Sequence, residues 1–229
     1  PIHLASMIGL MDSLLAKYAL DEIEDGDLFV ANDPHVAGGT HLPDVNMAMP
    51  VFSNGEIVAF ICNIAHHADI GGMAPGSMAG GMSEIYQEGL RIPVIKLFRK
   101  GAWQQDLLDL ILLNVRLPEE RRGDYYAQIA ACRLGARRMM EITDAYGNAV
   151  ITTAYGEIVT RTERRMRAAI ETIPDGEYSF EDFMDDDGLG AIDIPIKLHI
   201  EKSGDQIHFD FTGTSPQVLG NINLTDNAT

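Results

Sequence analysis

The segment from residue 45 to residue 65 leaves the chain little choice of fold. Two long runs of mostly apolar residues, 45–52 and 57–65, flank Ser53-Asn54-Gly55-Glu56. Asn-Gly between apolar runs is the strongest short-range hairpin signal, because both residues accept the positive φ that a tight turn needs. An antiparallel pair must form here. Its return arm, I-V-A-F-I-C-N-I-A, is apolar at nearly every position, which predicts a strand covered on both faces. Asp44 lies about ten residues before the turn and His66 about eleven after it, so antiparallel pairing brings them nearly opposite each other.

Around this hairpin the pattern alternates. Leu4, Met7, Ile8, Met11, Leu14, Leu15 and Tyr18 recur at helical spacing, predicting one amphipathic helix over 4–20. A strand at 27–31 runs into the loop Asn32-Asp33-Pro34, and an extended segment follows at 92–97. Helices are predicted at 106–115, from Pro118 to about 146, and from about 149 to 173; proline and two glutamates suit the start of the second. Composition then shifts to strands at 177–184, 192–201 and 206–211. The expected class is α+β (mixed α/β): an antiparallel-rich sheet with hairpins, packed by helices, over 1–173, and a β-rich segment over 174–229.

Thirty-four acidic residues against 17 basic ones leave a formal charge of -17. That field repels phosphate backbones and anionic lipid, so no nucleic-acid or membrane partner is expected. Cys62 and Cys132 form no disulfide framework and no CxxC motif, which fits a reducing cytoplasm. No signal peptide or run of about 18 apolar residues is present. The chain opens without Met and stops in a polar run, as a piece of a longer polypeptide would.

The chemistry concentrates between Asn32 and Asp69. His35, His41, His66 and His67, four of seven histidines, stand there among Asp33, Asp44 and Asp69, bordered by Gly38-Gly39 and Gly71-Gly72. Imidazole and carboxylate together are the donor set of Mn, Fe or Zn. His41 and Asp44, three apart around Pro43, can converge on one ion, with His66 arriving across the hairpin. Glu84 or Glu88 can serve as a further ligand or a general base, or in a surface salt bridge. Asn114 and Arg116 can hold a substrate carboxylate or phosphate. His3 stands near the site or simply starts its helix. No GxxxxGK[ST] or GxGxxG motif accompanies the glycine-rich run 71–81, and the acidic turn 185–188 lacks the alternation and distal glutamate of a calcium loop.

The runs N-D-P-H-V-A-G-G-T-H-L-P-D-V, A-H-H-A-D-I-G-G, E-I-Y-Q-E-G-L-R-I-P, L-N-V-R and G-D-Y-Y-A-Q-I-A-A, in that order, resemble the hydantoinase B/oxoprolinase family. Its members include ATP-dependent N-methylhydantoinases, 5-oxoprolinases and the acetone and acetophenone carboxylases. The resemblance implies a divalent metal, manganese as in acetone carboxylase, held by His41, Asp44 and His66, with Zn or Fe suited to the same donors. It places His67 outside the ligand set. Asp69, Asp33 and His3 are then expected to support the ligands, and Glu88, Asn114 and Arg116 to carry catalysis. ATP would be used by a partner, the hydantoinase A-type subunit, acting with this chain and the remainder of its own subunit on a small-molecule substrate. The implied activity is cyclic-amide hydrolysis, with ketone carboxylation, ATP-independent hydrolysis and a scaffold bearing a structural metal as alternatives. Family members are more than twice as long, so a partial subunit is expected.

Overall fold

The hairpin forms, and a sheet grows from it. Strands β2 (Asp44–Ser53) and β3 (Glu56–His66) pair antiparallel across Asn54 and Gly55, both at positive φ. The computed structural model, which describes residues 2–226, adds β1 (Leu28–Ala31), β4 (Ile95–Arg99) and β5 (Ala102–Trp103) in the order β3-β2-β1-β4-β5. Every neighbouring pair is antiparallel.

Strand β1 shows how the sheet is buried. Leu28 and Val30 point into a cluster with Leu108, Ile111 and Leu112 of α4 (Gln105–Leu113) and Tyr125, Ile129 and Cys132 of α5 (Pro118–Tyr146). Phe29 and Ala31 point the other way, against Leu10 and Leu14 of α2 (Ile8–Lys17). The two-residue period of a strand thus feeds two cores, and helices cover both faces of the sheet.

One expectation holds with a qualification and one needs correction. β3 is covered on both faces, but as the edge strand of the sheet it is only partly buried, and the fully buried arm is β2. An apolar run records what its side chains prefer and says nothing of which strand lies beyond it. Ile61 packs on Gly135 of α5, while Ile57, Phe60 and Cys62 pack on the α2 side. The N-terminal helix is also broken, into α1 (Ile2–Ser6) and α2, with a 3-10 turn at Leu20–Glu22. A continuous helix would give the Ser6 carbonyl to the Leu10 N–H. Instead Gly39 N–H donates to Ser6 O at 3.0 Å, and Leu10 N–H turns to Met7 O.

The compact units divide between Asn148 and Ala149. The second holds most of α6 (Asn148–Glu171) and a three-stranded antiparallel sheet of β6 (Gly176–Asp186), β7 (Ile192–Ser203) and β8 (Gln206–Asp210), the β-rich part expected at this end. Its acidic turn is closed by Asp187, whose Oδ1 accepts from Leu189 and Ala191 N–H. No helix among the described residues is long and apolar enough to cross a membrane.

Candidate metal centre

The loop after β1 is held from below by a buried asparagine. Asn32 Nδ2 donates to Leu42 O at 2.8 Å and Leu90 O at 2.9 Å, and its Oδ1 accepts from Ile92 N–H at 2.6 Å. One amide therefore ties the His41 turn to the extended segment after Glu88. Gly38 and Gly39 follow at positive φ; a Cβ on Gly38 would fall 2.5 Å from Ser6 O, so glycine is needed where the loop meets the N-terminal helices. The turn closes with Asp44 N–H on His41 O at 3.0 Å, and Asp44 begins β2.

A bulge decides what Asp44 meets. Phe52 pairs with Ile57, but Val51 pairs with Ala59, so Val58 is one extra residue in β3. An unbulged hairpin would set Asp44 opposite Ala65 and turn His66 to the other face. With the bulge, Asp44 pairs with His66.

Three imidazole nitrogens surround one oxygen of the fully buried Asp44. His66 Nδ1 lies 3.3 Å from Asp44 Oδ1, His41 Nε2 3.4 Å and His3 Nε2 3.4 Å. His41 Nε2 and His66 Nδ1 are 3.0 Å apart, with their rings stacked. The other carboxylate oxygen, Oδ2, accepts from Thr40 N–H at 3.0 Å and Thr40 Oγ1–H at 2.7 Å. Burial pushes the Asp44 carboxyl up, but hydrogen bonds from His41 and Thr40 outweigh it and hold the group well below the usual carboxylate range. The acid is thus ionised, with Thr40 fixing its orientation and Oδ1 turned toward the imidazoles.

This arrangement fits a divalent ion. Donors about 2.1 Å from an ion stand about 3.0–3.4 Å apart at neighbouring tetrahedral or octahedral positions, which matches the 3.0, 3.3 and 3.4 Å edges of the His41–His66–Asp44 triangle. Neutral imidazoles carry one proton each and cannot satisfy every one of these contacts, whereas a cation at their centre satisfies all of them.

The other predicted residues take distinct places. Half-buried Glu88 ends the one-turn helix α3 (Ile85–Glu88); burial raises its carboxyl pKa, and the charges of His41 and His35 offset this only in part. Gly72 lets the 71–72 backbone press on this helix, since a Cβ there would collide with Gln87 O and the Glu88 carbonyl. Asp33 accepts from His35 N–H and from Arg91, whose Nε lies 3.0 Å away. Asp69 accepts from the Arg116 N–H at 2.9 Å and from its Nη1 at 2.7 Å, and Arg116 also donates to Gly71 O and Gly72 O. Asn114 Nδ2 donates to Leu110 O. Asn114 and Arg116 thus engage their own helix end and the 69–72 loop. His67 points away from the triad, its Nε2 donating to Gln128 Oε1 at 2.9 Å and its ring against Tyr125.

Gln128 was not legible as part of the site. Its Nε2 also donates to Val45 O and Asn63 Oδ1, both at 2.9 Å, so one side chain of α5 joins β2, β3 and the segment after His66. It stands in the run G-D-Y-Y-A-Q-I-A-A, as Asn32 and Thr40 stand in N-D-P-H-V-A-G-G-T-H-L-P-D-V, but a helical position by itself does not say which strands its side chain will join.

The fold and the triad define an α+β domain that presents an imidazole–carboxylate cluster at the open end of a hairpin. The chain belongs to the hydantoinase B/oxoprolinase family, which it matches over residues 1–229. Caprolactamase subunit beta of Pseudomonas jessenii is 38% identical over 223 residues, taking in 97% of this chain and 38% of that one. The crystal structure of the ATP-dependent caprolactamase from Pseudomonas jessenii is similar with a TM-score of 0.92 and 36% identity, over 100% of this chain and 39% of that one. A nucleotide-free acetone carboxylase structure shares the fold, with a TM-score of 0.83 and 24% identity over 93% of this chain and 30% of that one. The chain therefore spans less than half the length of these relatives.

Proposed function

We propose that this chain is the metal-bearing part of the B-type subunit of an ATP-dependent cyclic-amide hydrolase of the hydantoinase/5-oxoprolinase type, acting in the cytoplasm. The observation that carries the reading is the convergence of His41, Asp44 and His66 in a member of this family. These three residues would hold the ion, manganese by preference, with zinc or iron suited to the same donors. Bound there, a divalent ion supplies Lewis acidity for a carbonyl or phosphorylated oxygen. The chain's own residues do the rest. Thr40 keeps Asp44 ionised and single-pointed, and Glu88, with its raised pKa, holds or passes a proton beside His41. Arg116 acts as a positioning residue through the Asp69–Gly72 loop that follows His66, and Asn114 through the helix end before Arg116, where its side chain holds Leu110 O. Asp33 does the same through Arg91 and the His35 backbone. ATP is used by an A-type partner subunit, and Cys62 and Cys132 remain free thiols, consistent with a reducing compartment.

The test is reconstitution of the full-length polypeptide with an A-type subunit, ATP and a panel of hydantoin, 5-oxoproline and caprolactam. The expected result is ring opening coupled to ATP hydrolysis, with about one divalent ion per chain lost in the His41→Ala, Asp44→Ala double variant. Ring opening without ATP, carboxylation of ketones instead, or full activity in the double variant would overturn the reading.

A further inference from the structure

A cleft of about 370 Å³ lies between α5 and the β4–β5 hairpin, and none of the metal-centre residues lines it. Its wall is aromatic. Phe98 and Trp103 meet edge to face with ring centres 4.4 Å apart, and the ring of Tyr126 lies 5.7 Å from that of Trp103. Leu134, two turns beyond Tyr126 on the same helix face, extends the apolar lining.

Two arginines stand at this wall. The Arg133 guanidinium lies over the Phe98 ring, 4.9 Å from its centre, and Arg137 follows one turn on. The other arginines of α5 each have a carboxylate: Arg121 meets Glu120 and Asp124, Arg122 meets Glu119, and Arg138 meets Glu141. Among the described residues Arg133 and Arg137 have none, although acidic residues outnumber basic ones by 34 to 17 in this chain. The helix explains why. Positions three and four away from Arg133 are Ile129, Ala130, Ala136 and Arg137, and the acid within that reach of Arg137, Glu141, is held by Arg138. A third donor also lacks a partner: the Trp103 indole Nε1 is buried with no acceptor among the described residues. Buried N–H groups are normally paired. The cleft therefore offers positive charge and N–H donors over an aromatic wall, with the Tyr126 hydroxyl as its one side-chain acceptor.

We infer that this cleft binds a small organic carboxylate with an aromatic or branched apolar body. A guanidinium fork grips a carboxylate through paired N–H groups, and the Phe98 ring holds that of Arg133 in place. The apolar body packs against Trp103, Tyr126 and Leu134. A bare phosphate would leave that wall uncovered, and a neutral ligand would leave both guanidiniums without a counter-charge. The volume falls among the roughly 300–1,000 Å³ usual for small-molecule sites. The assignment stands apart from the metal reading and does not rest on it.

The experiment is a titration of the full-length polypeptide, labelled with fluorotryptophan and followed by fluorine NMR. The Trp103 resonance is assigned by its loss in Trp103→Phe. Phenylacetate is the probe, with phenethyl alcohol as the neutral control and inorganic phosphate as the anion without an apolar body. The expected result is a saturable shift of the Trp103 resonance with a Kd at or below about 1 mM, and binding of either control at least about tenfold weaker. The Arg133→Gln, Arg137→Gln double variant is expected to bind phenylacetate about tenfold more weakly or worse, with affinity for the alcohol and thermal melting unchanged. If the double variant melts lower, Arg137→Gln alone is read by the same criterion, since that side chain is exposed. An unmoved Trp103 resonance at about 10 mM phenylacetate, equal binding of the alcohol or of phosphate, or undiminished binding in the arginine variants would each overturn the assignment.

Discussion

Replacing Asn32 by alanine removes a single amide but strands three backbone groups, two of them in buried bonds and one in a part-buried one. Leu42 O and Leu90 O lose their donor, and Ile92 N–H loses its acceptor at 2.6 Å. A buried polar group left without its partner costs about 1–3 kcal/mol, and a carbonyl with a second lone pair falls at the low end. The sum for Asn32→Ala is therefore about 3–5 kcal/mol, a large part of the roughly 5–15 kcal/mol that holds a typical domain. Asn32→Asp sharpens the test. An ionised carboxylate cannot donate to Leu42 O or Leu90 O and would face both carbonyls, so its folded pKa would lie above the unfolded value. The sign follows: stability of this variant is highest below the unfolded pKa and is lost as pH rises through the folded one. Urea denaturation of the full-length polypeptide at pH 7 and pH 4 measures both. The expected result is a lowered midpoint with unchanged slope for Asn32→Ala, and an Asn32→Asp variant worse at pH 7 than at pH 4 relative to wild type. A cost under about 1 kcal/mol for Asn32→Ala, or wild-type stability of Asn32→Asp at pH 7, would refute the reasoning.

Other outcomes follow from the same contacts. Burial raises the Asp69 carboxyl, but hydrogen bonds from Arg116, Gly71 and Gly76 outweigh it and lower its pKa, so its contribution is present above the unfolded value of about 3.9 and lost as pH falls through the folded one; Asp69→Asn should flatten the acid limb of a stability–pH curve, and an unchanged limb would count against it. Gly72→Ala meets the Gln87 and Glu88 carbonyls at a positive φ and should displace α3, giving reduced protection of residues 85–88 in hydrogen exchange. Gln128→Leu leaves Val45 O, Asn63 Oδ1 and His67 Nε2 without their partner and should cost about 2–4 kcal/mol by chemical denaturation, with no loss of stability as the contrary result. Glu88→Gln should lower kcat about 10²–10⁴-fold with metal content unchanged, and a wild-type kcat would remove Glu88 from proton transfer.

Much of the candidate site was legible because its signals are local. H-x-x-D on a tight turn, Gly38-Gly39 and the Asn-Gly turn each act over a few residues, and strand alternation over Leu28–Ala31 matches the two cores that receive it. The helical repeat over residues 4–20 reported a helix and a buried Leu14, but Leu4, Ile8 and Leu15 of that repeat are exposed and the second anchor, Leu10, lies outside it. It could not report the break after Ser6, because the group that takes the Ser6 carbonyl, Gly39 N–H, lies far along the chain. The apolar run of β3 marked a strand covered on both faces but could not mark its place at the edge: side-chain preference is a property of the residue, whereas an edge is defined by the strand that is missing beside it.

The hairpin turn was settled by Asn54 and Gly55 alone, since few other residues accept positive φ there. That turn brought Asp44 and His66 near each other but left open which face each would occupy. The extra residue at Val58 settled that, setting Asp44 against His66 in place of Ala65. Gln128 of α5 then joined both strands beside the pair. Turn chemistry is written in two adjacent residues; register is an energy summed over contacts with distant ones, and only the assembled sheet and helix could decide it.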